Sequence, residues 1–282
     1  MAQPSTAGAS RTARPISLAA GVMPDFGPVE TSQAAVAAGF DMAGVWVDLA
    51  SWTPAITVGV RQALGGLPVL DVEYIRLAPG PLDEAGLRLI DIGAELGAAN
   101  VLIVSGDPDD QATADKLARL AAYGAERGVR ANLEFGVFTA VKSLAQALAI
   151  LEASGDPSLA VLLDPIHVDR AGVAVREVAA IPRSRLSYAQ FCDAPAERPA
   201  ASDLPAILRD ALDLRMMPGE GALPLQAFLQ GLPADLPLSI ELRSEALRTG
   251  APDVFDRARR LAAASRAWLA EYDRPAREPA RA

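Results

Sequence analysis

Short apolar runs alternate with helix-patterned segments along almost the whole chain, and this alternation limits the fold more than any other feature. Eight runs read as strands: residues 16–21, 42–47, 68–75, 99–104, 129–135, 159–163, 186–191 and 237–242. Between them apolar residues recur at helical spacing, as in 83–96, 109–127, 143–153 and 253–271. A strand that hands over to a helix before the next strand must pair in parallel, because only a crossover brings the chain back to the same end of the sheet. Eight such units in 282 residues match the ~250 residues typical of a closed eight-fold barrel. The expectation is an α/β protein, a (β/α)8 TIM barrel in a single domain over 15–272. A doubly wound open sheet would show the same alternation, but no Gly-x-Gly-x-x-Gly follows the first strand.

Punctuation supports these helices. Asp83, Asp109, Ser143 and Asp253 stand where an N-cap side chain must accept a free backbone N–H, and Gly97, Gly128 and Gly155 stand where a left-handed terminator fits. Residues 1–14, rich in Ala, Ser, Thr and Gly, read as a disordered leader without the apolar core of a signal peptide; 273–282 read as a disordered tail.

Composition removes several function classes. With 51% apolar and 22% charged residues the chain can bury a large core. A net charge of -9 repels a phosphate backbone, so nucleic acid is not an expected partner. No apolar stretch approaches the ~20 residues that span a bilayer. The single cysteine, Cys192, cannot form an internal disulfide and reads as a small buried filler, and cytoplasm is the expected location. A homo-oligomer is compatible with all of this.

In a β/α barrel the loops after the strand C-termini build the active face. Strands five to eight end in ANLEF, LLDPIH, YAQFCD and IELR, which sets Glu134, Asp164, Gln190 and Glu241 at similar heights around half the rim. Three carboxylates gathered without a counter-charge would raise one another's pKa, whereas a divalent ion lets all three stay ionised. These four are the expected metal ligands. Their oxygen donors favour Mn2+ or Mg2+, with Co2+ or Zn2+ compatible. The competing reading is that strand-end acids cap helices or pair with arginine.

The chain resembles the xylose isomerase-like barrel superfamily over about residues 15–272. The carriers are AAGFDMAGVW, ANLEF, LLDPIH, QFCDAP, PGEGALPL and LSIELRS. The superfamily includes sugar isomerases, sugar and keto-sugar epimerases, inosose dehydratases and 3-dehydroshikimate dehydratases. The resemblance implies metal ligation by Glu134, Asp164, Gln190 and Glu241. Gln190 departs from the histidine of many epimerases, and some bacterial 3-dehydroshikimate dehydratases are similar in having Gln there, followed by Asp-Ala-Pro. It also implies a substrate contact or proton carrier at His167, the only histidine, and a substrate-side position for Asp193.

Arg243 lies two residues past Glu241 on the same strand face and can orient that acid or fork onto a substrate carboxylate or phosphate. Glu73, Arg76 and Trp46, near the ends of strands three and two, are read as the opposite pocket wall. The only lysines, Lys116 and Lys142, fall at or near helical segments, which argues against a Schiff base. The carbonyl must then be polarised by a metal, with Glu134 or Glu241 removing the adjacent proton.

The expected activity is a divalent-metal-dependent isomerase or epimerase acting through an enediolate on a small polyhydroxylated keto substrate. A lyase of the 3-dehydroshikimate or inosose dehydratase type, with His167 the candidate acid, is the first alternative. A non-catalytic sugar-binding barrel is the second. A metal-dependent endonuclease fails on charge and on having one histidine.

Overall fold

The computed structural model describes residues 14–274. All eight expected strands are present: β1 Ile16–Leu18, β2 Met42–Trp46, β3 Val69–Leu77, β4 Asn100–Ser105, β5 Arg130–Glu134, β6 Ala160–Leu162, β7 Ala189–Phe191 and β8 Leu238–Ile240. They pair in parallel in the order β6-β5-β4-β3-β2-β1-β8-β7. The Gln190 N–H donates to the Leu163 carbonyl at 2.9 Å and brings the two ends of this sheet together, so the chain forms a TIM barrel.

Strands β7 and β8 are shorter than their apolar runs. Leu186 closes a 3-10 turn over Arg183–Arg185, which diverts it from the sheet. Past Ile240 the ladder continues by one bond, from Glu241 N–H to the Phe191 carbonyl at 3.2 Å, and that bond fixes where the Glu241 side chain begins.

The helix signals act as written. Asp83, Asp109, Ser143 and Asp253 accept backbone N–H groups at the starts of helices Glu84–Leu96, Asp110–Ala125, Leu144–Ala153 and Val254–Tyr272. The outward faces of the strands and inward faces of the helices form one continuous buried core. Inside the barrel a smaller cluster of Leu70, Leu102, Leu162 and Tyr188 fills the centre. Each fully buried aliphatic side chain contributes about 1.5–3 kcal/mol relative to exposure.

The polar barrel floor is satisfied internally: the Asn132 amide donates to Asn100 Oδ1 at 3.1 Å, and the Asn100 amide to the Leu70 carbonyl at 2.9 Å. Gly44 permits a close approach inside the barrel. A Cβ there would stand 2.7 Å from Asp71 Oδ1 and 2.8 Å from the Ala20 nitrogen, so any side chain would push β2 away from β3.

Of the expected leader only Arg14 is among the described residues. Arg14 is buried and its guanidinium donates to the carbonyls of Pro233 at 2.6 Å and Leu229 at 3.0 Å, while 1–13 lie outside the described residues. At the other end, of the residues expected in the tail, Asp273 caps the last helix and Arg274 pairs with Glu271 at 2.8 Å, while 275–282 lie outside the described residues. No helix among the described residues is long and apolar enough to cross a membrane.

Candidate active site

A cavity of about 310 Å³ opens at the C-terminal ends of the strands. Glu134, His167, Glu241 and Arg243 line one side, and Trp46, Glu73, Tyr74 and Arg76 line the other. Asp164 and Gln190 are fully buried just beneath it. Neither lysine reaches it; the Lys116 amine is bound to the Ala78 carbonyl at 2.6 Å and Asp107 at 2.5 Å.

Each element sets its side chain by simple means. Glu134 is the last residue of β5. Asp164 follows β6 and caps helix Pro165–Arg170, with Oδ1 accepting the Ile166 N–H at 2.9 Å. One turn into that helix, His167 brings Nε2 to 4.0 Å from Asp164 Oδ2. Glu134, Asp164 and His167 each offer a donor atom within 4.8 Å of the others. Gln190 sits in mid-β7 with both amide atoms buried and unpartnered, and Glu134 Oε1 is likewise buried without a partner. Orphaned oxygen donors beside a buried acid and a histidine fit a divalent cation, since leaving such atoms unpaired costs about 1–3 kcal/mol each.

Glu241 does not join that triad. Its Oε2 is 2.9 Å from Nη1 of Arg215, and the same nitrogen is 2.6 Å from Asp164 Oδ2. Arg215 therefore supplies the counter-charge that the strand-end pattern lacks. It is only 3% exposed, and its Nε donates to the Ala211 carbonyl at 2.7 Å. The segment carrying it is stitched across the rim: Arg215 N–H donates to the Arg243 carbonyl at 3.1 Å, and Met216 exchanges two backbone bonds with Asp193. Asp164 thus both caps a helix and pairs with arginine, as the competing reading required, while also lying within the donor cluster.

Burial dominates the electrostatics. It would raise Asp164, but Arg215, His167 and the Ile166 N–H together outweigh it and hold this carboxyl below its ordinary value. For Glu241 burial wins over Arg215 and the pKa is raised. Glu134 is pushed well up by burial, then by Glu241 and Asp164. Burial also lowers His167 to about 4, which keeps the imidazole neutral at neutral pH. Across the cavity burial and neighbouring Asp71 hold Glu73 well above the ordinary carboxylate range. Asp71 is itself pushed up to about 7 by burial, despite accepting from the Tyr188 hydroxyl at 3.0 Å.

Arg76 and Arg243 differ from Arg215. Among the described residues neither forms an ion pair, and Arg243 Nε is buried with no hydrogen-bond partner. Asp193 takes a place other than the one expected. Its carboxylate accepts the backbone N–H groups of Ala194, Gly219, Gly221 and Leu223 at 2.9–3.1 Å, so it anchors the 219–223 loop and does not line the cavity. Cys192 is fully buried between Asp164 and Arg215, with its thiol pushed well up by burial.

Two participants escaped the sequence reading. Asp71 lies two residues before Glu73 on β3, so strand period alone put it within reach of the same cluster. Arg215 carries no periodic signal; its only cue is an isolated arginine three residues before Pro218-Gly219-Glu220-Gly221.

Comparison with known proteins agrees with this geometry. A 3-dehydroshikimate dehydratase of Pseudomonas aeruginosa is 29% identical over 174 residues, a match covering 58% of this chain and 26% of that protein. A solved xylose isomerase-like TIM barrel/4-hydroxyphenylpyruvate dioxygenase fusion protein superposes with a TM-score of 0.75 at 23% identity, over 90% of this chain and 42% of the fusion. The IolI protein, solved with a bound zinc atom, superposes with a TM-score of 0.77 at 13% identity, over 92% of this chain and 99% of its own. At these identities the two superpositions speak for the fold, and the chain spans well under half of the dehydratase and of the fusion. The profile of the xylose isomerase-like TIM barrel matches residues 67–272, most of the barrel, and the chain belongs to that family.

Proposed function

We propose that the chain is a divalent-metal-dependent enzyme that removes a proton beside a ketone, and that its net reaction is dehydration of a small cyclic hydroxy-keto acid. The observation that carries the choice is the pair Arg76 and Arg243, which line the cavity and, among the described residues, form no ion pair. Arg243 is half-buried with its Nε unpartnered and Arg76 is exposed at the rim; a substrate carboxylate satisfies both by charge-assisted hydrogen bonds, which a neutral sugar does not supply. The dehydratase similarity points the same way.

Glu134, Asp164 and Gln190 would hold the cation, with Glu241 braced beside them by Arg215 and His167 at the edge of the donor set. The oxygen donors favour Mn2+ or Mg2+. When bound, the cation supplies Lewis-acid polarisation of the ketone. The chain's own groups do the rest. The His167 imidazole lines the cavity and accepts the proton beside the ketone, an alternative to the acid role expected for it. Glu73, whose burial favours its protonated form, donates to the departing hydroxyl, which leaves as water. Arg243 and Arg76 hold the carboxylate, and Trp46, packed against Tyr74 at 5.5 Å, covers the ring.

A second reading keeps the isomerase or epimerase. It is favoured by Glu134 and Glu241 both facing the cavity, where one could take and the other return a proton. One experiment separates the two: Mn2+-loaded protein is incubated in D2O with 3-dehydroshikimate, inososes and a panel of keto-sugars. Dehydration predicts a new conjugated chromophore from the keto acid, abolished by chelator and restored by Mn2+ or Mg2+. Deuterium uptake into a keto-sugar without elimination would favour the epimerase, and no exchange or turnover on any of them would refute both.

A further inference from the structure

A second recess of about 170 Å³ opens beside the central cavity, between the 20–26 turn, the start of helix Pro28–Ala37 and β2. Its walls are Met23, Phe26, Pro28, Val45 and Trp46, and its main polar group is Arg243. Arg243 lines both spaces. Its Nη1 is 3.6 Å from where a Cβ on Gly21 would stand, and Gly21 belongs to the recess wall, so glycine keeps the guanidinium accessible from this side.

The recess is built rather than incidental. Arg257, fully buried, donates from both terminal nitrogens to the two oxygens of Asp25 at 2.6 and 2.8 Å, and its guanidinium lies 5.4 Å over the Phe26 ring. The Phe26 N–H closes the turn onto the Met23 carbonyl at 3.0 Å. These bonds hold the apolar wall in place without a ligand, which lowers the ordering cost of binding one.

From the apolar wall and the unpartnered arginine at its edge, we infer that the recess is a second ligand site for an aromatic carboxylate of benzoate size. The ring packs among Met23, Phe26, Val45 and Trp46, and the carboxylate meets Arg243. A purely apolar ligand would leave Arg243 Nε unpaired, and a bare sugar would waste the apolar wall. Because Arg243 also faces the central cavity, an acid in the recess withdraws it from the substrate. That inhibitory consequence rests on the proposed reaction, whereas the site itself does not.

The test uses binding alone, in the full chain without metal or substrate. Benzoate and acetate are titrated by calorimetry, and benzoate is located by nuclear Overhauser contacts. Benzoate should bind at least about tenfold more tightly than acetate, as expected for burying a ring, with contacts to the Met23 and Val45 methyls. Pro28→Trp, which fills the recess from a helix start, and Phe26→Ser, which removes a wall, should each weaken benzoate by about tenfold or more with melting temperature checked in parallel; either folded variant suffices. Undetectable benzoate binding at millimolar concentration, acetate binding as tightly, unchanged affinity in a folded variant, or contacts to the Phe138 and His167 rings instead would each overturn the site. Failure of dehydratase turnover alone would leave these readings unchanged.

Discussion

Arg215 Nη1 lies 2.6 Å from Asp164 Oδ2 in a fully buried ion pair, and the same nitrogen reaches Glu241 at 2.9 Å. One cation thus braces acids that leave the barrel on β6 and β8, on either side of the strand carrying Gln190. Removing it strands two buried carboxylates, which typically costs about 3–5 kcal/mol. Arg215→Met should therefore lower the melting temperature sharply, and Mn2+ should recover more stability in the variant than in the parent because it supplies the missing charge. Equal metal-induced shifts in the two proteins would show that the ion and Arg215 do not share these acids.

Gln190 carries two buried, unpartnered amide atoms. Gln190→His should keep a metal site but move its preference towards Zn2+ or Co2+, and Gln190→Ala should lose affinity, both followed by metal titration. Unchanged content and selectivity in both variants would remove Gln190 from the donor set.

His167 is held neutral by burial, with its pKa lowered to about 4. His167→Asn should leave bound metal nearly intact and lower kcat by ~10²–10⁴, the usual contribution of a positioned acid or base. A variant that melts earlier but turns over normally per folded molecule would return His167 to a packing role.

Asp71 titrates near 7 in the folded protein against an ordinary value of 3.8. The native state therefore holds a proton that the unfolded chain has released between those values, so this group's stability is present below about pH 4 and is lost as pH rises through 7. In metal-free protein the melting temperature should fall from pH 5 to pH 8. Asp71→Asn, which keeps an acceptor for the Tyr188 hydroxyl, should flatten that slope and be the more stable protein at pH 8. An identical pH profile in both would mean that Asp71 is ionised throughout.

Much of this protein is decided locally. The eight strands follow from apolar runs of strand length, and the caps at Asp83, Asp109, Ser143 and Asp253 from a side chain accepting the nearest free N–H. The rim positions of Glu134, Asp164 and Glu241 follow from the strand ends, because a barrel turns a position along a strand into a height on its axis. Tertiary structure decided what those acids meet. Arg215 lies 51 residues from Asp164 in the chain and reaches it only because the 214–216 segment is pinned between Asp193 and Ser244. Asp193 looked like a substrate contact from its neighbours in sequence, but the folded loop offers it four N–H groups and absorbs it. The Asp71–Tyr188 bond and the neutral state of His167 depend on distances across the barrel and on exclusion of water. Hydrogen bonds between neighbours are encoded in short strings of residues, whereas charge pairing and desolvation depend on which distant segments share one buried space.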